Sequence, residues 1–189
     1  MSFASKPDWC LGPQDTAVHV LARAAERFPD HTFLIFPDGE LTYAEFERRS
    51  NALAHGLQAR GVAKGDTVST ILDNNLDCVL AWFAVNKLGA IWVPINTAYK
   101  GDFLKHLIGD SGAKIVIGEP DYIERLVLIE DDLPELQEAY YRGKRPGEAF
   151  NTLRMAPLDT LFAEDESSLE ITESIVSLTR AFARAVRDI

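Results

Sequence analysis

Residues 74–96 read NNLDCVLAWFAVNKLGAIWVPIN, and the architecture turns on this stretch. Leu76, Val79, Leu80, Phe83, Ala84 and Leu88 recur at three- and four-residue spacings, so one face of a helix is apolar and must pack on something. Asn74 is a suitable N-cap, Asp77 sits in the first turn against the positive helix end, and Gly89 is the expected left-handed stop. The short apolar run from Ala90 to Val93 follows at once. Pro94 closes it, which suits a strand only at an edge or where its hydrogen bonding ends. Helix, glycine turn and buried strand make half of a βαβ crossover.

Upstream, GVAKGDTVSTIL, residues 61–72, is a glycine-rich turn leading into a strand over Thr67 to Leu72. A phosphate-cradling loop places its glycines after a strand and at a helix N-terminus. Here they precede the strand and read as a turn. Asp73, Asn74 and Asn75 stand at that strand's carboxyl end, where ligands sit in open α/β sheets, although a cap and turn need no ligand. Before this unit, Thr16 opens a helix with Val18, Val20, Leu21, Ala24 and Ala25 on its apolar side, ending ahead of Pro29. Thr32 to Phe36 and Glu40 to Thr42 flank Pro37-Asp38-Gly39, the chemistry of a β-hairpin turn. Thr42 and Glu45 then form a capping box for a helix that runs to Gly61, with Tyr43, Phe46, Leu53, Ala54 and Leu57 inward.

Downstream, a helix over Asp102 to Ile108 with Phe103, Leu104, Leu107 and Ile108 inward is broken by GDSGAK, and Ile115 to Ile117 is an apolar strand. This alternation predicts an α/β fold, a parallel sheet with helices on both faces. Pro120 to Arg125 starts a further helix and Leu126 to Ile129 reads as a further strand. From there Pro134, Pro146 and Pro157 punctuate an acidic stretch with short helical pieces, PLDTLFA among them. Ile171, Ile175, Leu178, Phe182, Ala185 and Ile189 follow a helical period, with Arg180, Arg184 and Arg187 near the end that favours cations. The expected division is a leading arm over 1–15, an α/β subdomain over 16–130, the acidic Pro-punctuated segment over 131–170 and a terminal amphipathic helix over 171–189.

The composition, 47% apolar and 25% charged over 189 residues, is that of a globular domain with a real core. No apolar run approaches the roughly 20 residues of a membrane span. MSFASKPDWC does not resemble a secretory signal, so a cytoplasmic protein is expected. Residues 119–173 hold fifteen acidic and five basic side chains, the whole net charge of −10; such a surface repels phosphates and argues against a nucleic-acid partner. Cys10 and Cys78 form neither a disulfide framework nor a metal cluster. Cys78, on the central helix, reads as a packed thiol rather than a nucleophile. His19, His31, His55 and His106 show no metal-ligand spacing, and no catalytic, cofactor-binding or metal residue is assigned.

Four motifs in order carry a resemblance: LTYAEF at 41–46, GVAKGDTV at 61–68, AWFAVNKLGAIWVPINTAY at 81–99 and IGDSGAKIVI at 108–117. Together they resemble the N-terminal portion of the adenylate-forming ligases, the group of acyl-CoA synthetases, luciferases and peptide-synthetase adenylation domains. Within the group, the ending Val93-Pro94-Ile95-Asn96 looks more like the acyl-CoA ligases, because peptide-synthetase domains often carry an acidic residue at the last position. The resemblance implies an incomplete N-terminal subdomain of that fold. In intact relatives it implies carboxylic acid activation through an acyl-adenylate with ATP and Mg²⁺, then transfer to coenzyme A, as in fatty acid metabolism.

It also implies a phosphate loop of the pattern Ser-Gly-Thr-Thr-Gly-x-Pro-Lys-Gly shortly after the acidic segment. This chain reads SIVSLTRAFARAVRDI there, over 174–189, without a glycine. The expectation is a truncated acyl-CoA synthetase that binds no cofactor and is inactive alone. Val186 to Ile189 can be encoded so that a shifted frame gives Ser-Gly-Thr, which suggests a frameshift; a gene with no glycine-rich continuation in another frame would exclude it. The alternatives are a stand-alone non-catalytic binding module, or one part of a split ligase with a complementing fragment as partner.

Overall fold

The computed structural model describes residues 16–147 and 149–169. The leading arm and the terminal amphipathic helix read from the sequence lie outside the described residues. Helix α1 (Ala17–Arg27) starts at Thr16, whose hydroxyl lies 2.8 Å from His19 Nδ1. It buries Val18 and Leu21, but Val20 points outward. Strands β1 (Thr32–Phe36) and β2 (Gly39–Thr42) form the expected antiparallel hairpin. Helix α2 (Tyr43–Ala59) begins with the expected capping box: Glu45 N donates to Thr42 Oγ1 at 3.2 Å and Thr42 N donates to Glu45 Oε2 at 2.8 Å.

The central unit follows as β3 (Thr67–Ile71), α3 (Leu76–Lys87) and β4 (Ile91–Pro94). The N-cap of α3 is Asn75 rather than Asn74, with Asn75 Oδ1 accepting from Cys78 N at 2.9 Å. Both asparagines are competent caps, and the choice follows from where β3 ends. Gly89 carries φ of +67° at the turn, which a side chain would resist. Among the described residues β4 pairs only with β3, at the edge of the sheet, so Pro94 is tolerated and the strand is half-buried rather than buried. Helix α4 (Gly101–Ser111) runs three residues beyond the expected helix end, to the left-handed Gly112. Phe103 is 73% exposed, not inward, while Leu104 and Ile108 are buried.

β5 (Ile115–Gly118) is as expected, and α5 (Pro120–Ile123) is one turn. Leu126 to Ile129 is not a strand: residues Glu124–Leu128 and Glu130–Asp132 are 3₁₀ turns. Leu126 and Ile129 point inward and Leu128 is 88% exposed, an i, i+3 pattern that a short apolar run conceals. The acidic stretch, expected to hold short helical pieces, also supplies two strands, β6 (Glu138–Tyr141) and β7 (Arg154–Pro157), before a 3₁₀ turn over Leu158–Leu161 within PLDTLFA.

The five strands pair in parallel in the order β4-β3-β5-β6-β7. Alternation along the strands divides the core between two faces. Val68, Ile115, Ile117 and Tyr140 meet α1, α2 and α3 on one face. Ile71, Val116, Ala139 and Tyr141 meet α4, α5 and the 3₁₀ turns on the other. No helix among the described residues is long and apolar enough to cross a membrane.

Candidate functional site at the carboxyl edge of the sheet

The connection leaving β3 enters α3 on one face, whereas those leaving its neighbours β4 and β5 enter α4 and α5 on the other. The strand order therefore reverses at β3, and its carboxyl end is where parallel sheets place ligands. Asp73, Asn74 and Asn75 stand there, as the sequence indicates.

On the β5 side, Asn75 is held at both ends of its amide, because its Nδ2 donates to Glu119 Oε1 at 2.7 Å while its oxygen caps α3. Arg142, directly after β6, donates from Nε to Asp77 Oδ2 at 2.6 Å and from a terminal nitrogen to Asp38 Oδ2 at 2.5 Å. Its other terminal nitrogen lies 4.0 Å from Glu119 Oε2, and Arg49 approaches Asp77 at 3.6 Å. One guanidinium thus ties the hairpin turn, the first turn of α3 and the end of β5. Burial raises the Glu119 carboxyl above its ordinary range, outweighing the pull of Arg142 and the Asn75 donor. Burial and the Glu119 charge also raise the Cys78 thiol. A thiol pushed in that direction is a poor nucleophile, in keeping with a packed residue.

On the β4 side, Tyr122 donates its hydroxyl to Asp73 Oδ1 at 2.9 Å, and that bond raises the phenol above its usual value. Arg125 stacks 4.3 Å from the Tyr122 ring centroid and donates to the carbonyls of Thr97 and Tyr99 at 2.5 and 3.1 Å. Asn74 is exposed beside them. The acidic and basic groups on the two sides of β3 are engaged with one another and fix loops. Among the described residues no three His, Cys, Asp or Glu side chains are grouped to hold a metal ion.

Two cavities lie at the opposite, amino end of the sheet. One of about 130 Å³ is bordered by Arg60, Asp66, Lys114 and Glu138. The other, about 300 Å³, is bordered by Gln58, Lys64, Lys87, Leu88 and Leu169. Lys87 is the group that sequence reasoning missed. Its side chain is 1% exposed, and Nζ donates to Glu47 Oε1 and to Asn51 Oδ1, each at 2.6 Å. Burial lowers its pKa, and the Glu47 carboxylate opposes the shift. A signal was available: Lys87 lies four residues after Phe83 and seven after Leu80, on the buried stripe of α3, and Glu47 and Asn51 are four apart on α2.

The family described as AMP-binding enzyme matches residues 21–167. A phosphinothricin tripeptide synthetase from Streptomyces viridochromogenes is 36% identical over 135 residues, covering 68% of this chain and 12% of that protein. A medium/long-chain fatty acid and 3-oxocholest-4-en-26-oate CoA ligase from Mycobacterium marinum is 35% identical over 127 residues, covering 67% of this chain and 22% of that protein. In the crystal structure of an anthranilate CoA ligase with anthranoyl-AMP, 31% of the chain superposes on 87% of this one, with a TM-score of 0.77 and 26% identity. The chain therefore spans about a fifth or less of these two curated relatives.

Proposed function

Because the chain belongs to the AMP-binding enzyme family over residues 21–167, we propose that it is the N-terminal scaffold portion of an acid–CoA ligase and does not activate acids by itself. Intact members of the family use ATP and Mg²⁺. The donor set among the described residues does not fit that pair. Asp38, Asp77 and Glu119 surround Arg142, Asp73 accepts from Tyr122, and Lys87 is enclosed by Glu47 and Asn51, so these charges are already engaged with one another. The observation that supports the reading is this internal engagement of the carboxyl edge. Its charges hold the hairpin, α3 and β5 in register, which is a scaffold's task.

The CoA-ligase reading draws on the M. marinum relative and the anthranilate ligase. A peptide-synthetase origin is favoured in turn by the match to the tripeptide synthetase. Asn96 does not separate the two physically, because its Oδ1 accepts from Ala98 N at 2.9 Å, a turn that an aspartate makes equally well.

Acid-dependent ATP–pyrophosphate exchange tests the proposal, run on the purified chain with aromatic acids, fatty acids and amino acids. The chain alone is expected to give none. Co-expression with the remainder of a related CoA ligase is expected to restore exchange with aromatic or fatty acids. Exchange by the chain alone refutes inactivity, and rescue by amino acids alone moves the origin to the peptide synthetases. A monodisperse, cooperatively folded chain that no remainder complements is instead a binding module.

A further inference from the structure

The segment following β7 crosses the outer side of α2 and is gripped there through its backbone. Leu161 presses its carbonyl onto Gly56 so closely that a Cβ on that glycine would lie 1.5 Å from the oxygen. Ala163 N donates to Ala52 O at 3.0 Å, Asn51 Nδ2 to Glu166 O at 3.2 Å and His55 Nε2 to Ser167 O at 3.1 Å. Side chains add an exposed Arg48–Glu166 ion pair at 2.9 Å and Arg49 over the Phe162 ring at 5.7 Å. Phe162 and Leu169 are partly buried, but residues 164–168 are exposed. The far end, Leu169, borders the larger cavity, as does Lys87.

Asn51 joins these two features. It is 2% exposed, and its oxygen faces the Lys87 ammonium. A lysine ammonium only donates, so the Asn51 amide has one orientation, and its NH₂ is left facing the Glu166 carbonyl. We propose that residues 162–169 form a strap that opens and closes on α2 independently of the body of the fold, with Asn51, oriented by Lys87, as the catch. Its grip is limited to one part-buried hydrogen bond at Asn51, exposed contacts at His55 and Arg48, the Ala163 backbone bond and two partly buried apolar side chains, Phe162 and Leu169, while residues 164–168 lie in solvent, the condition for local rather than global opening. Opening frees the outer face of α2 and removes the Leu169 side of the cavity. This device does not depend on the ligase reading.

Native-state hydrogen exchange and cleavage by a Glu-specific protease after Glu164 and Glu166 test it on the full chain. In the wild type, the Ala163 amide is expected to exchange through openings that denaturant barely promotes, while Val68 of β3 exchanges only with global unfolding. Asn51→Asp keeps an oxygen for Lys87 but turns an oxygen toward the Glu166 carbonyl. His55→Ala removes the second grip without touching Lys87. Each is expected to speed strap cleavage about tenfold, as loss of one hydrogen bond implies, with the unfolding midpoint of the body unchanged for His55→Ala. The proposal is overturned if Ala163 and Val68 share one denaturant dependence, or if His55→Ala leaves strap cleavage at the wild-type rate.

Discussion

Replacing Lys87 by methionine isolates the buried charge between α2 and α3. Methionine nearly matches the length of the lysine stem, so the packing along α3 is kept while the ammonium is lost. The Glu47 carboxylate then loses its 2.6 Å partner, and its other oxygen, Oε2, is already buried without one. Asn51 Oδ1 loses its donor as well. Breaking one side of a buried ion pair typically costs about 3 to 5 kcal/mol. Glu47 keeps 13% of its side chain exposed, so water reaches part of the orphaned carboxylate and the expected loss is at the low end, about 3 kcal/mol. For a chain of this size that corresponds to a fall in Tm of roughly 6 to 12 °C. Equilibrium unfolding in urea, followed by the fluorescence of Trp82 on α3 and Trp92 on β4, measures it. The double variant Lys87→Met with Glu47→Leu removes both charges and is expected to regain most of the stability, to within about 1 kcal/mol of wild type. A single variant that loses less than about 1 kcal/mol, or a double variant worse than the single, refutes the assignment of Lys87 and Glu47 as mutually compensating.

Two further outcomes follow from the carboxyl edge. Asn75→Ala should lose about 1 to 2 kcal/mol, because it removes the α3 cap and the Glu119 donor together, whereas Asn74→Ala should stay within about 0.5 kcal/mol; parallel urea melts settle it, and equal losses would contradict the assigned cap. Glu119 has a raised folded pKa, so its contribution is present below its ordinary value of 4.5 and is lost as pH rises through the folded value. Glu119→Gln, which retains an acceptor for Asn75, should therefore match wild type at pH 4 and equal or exceed it at pH 7. A variant less stable only at pH 7 would show instead that the ionised carboxylate stabilises the fold through Arg142.

The features legible in the sequence are those that a few neighbouring residues decide. The Thr42–Glu45 box, the hairpin turn at Pro37-Asp38-Gly39 and the stop at Gly89 each satisfy their own backbone groups locally, and each stands where expected. Where two neighbours satisfy the same local rule, the sequence does not choose between them, and the cap falls on Asn75 rather than Asn74. Leu126 to Ile129 differ from the expectation for a related reason: four apolar residues suit a strand or a tight helical turn equally, and packing against α4 and α5 selects the turn.

Strands β6 and β7 lie in the acidic stretch because their identity comes from a neighbour. Gln137 and Glu138 donate to the Lys114 carbonyl, and each later strand then pairs in register with the one before it. Nothing within Glu138–Tyr141 or Arg154–Pro157 announces this. The carboxyl-edge network is of the same kind, since Arg142 meets Asp38 and Asp77 across 104 and 65 residues of chain. By itself the sequence determined the α/β alternation, the central helix–turn–strand and the family resemblance, because periodicity, caps and glycine turns act within one or two turns of backbone. Tertiary structure alone decided the five-strand order, the buried Lys87–Glu47 pair and the strap over α2. Those depend on groups distant in sequence being desolvated together, and only the assembled fold brings them within hydrogen-bond reach.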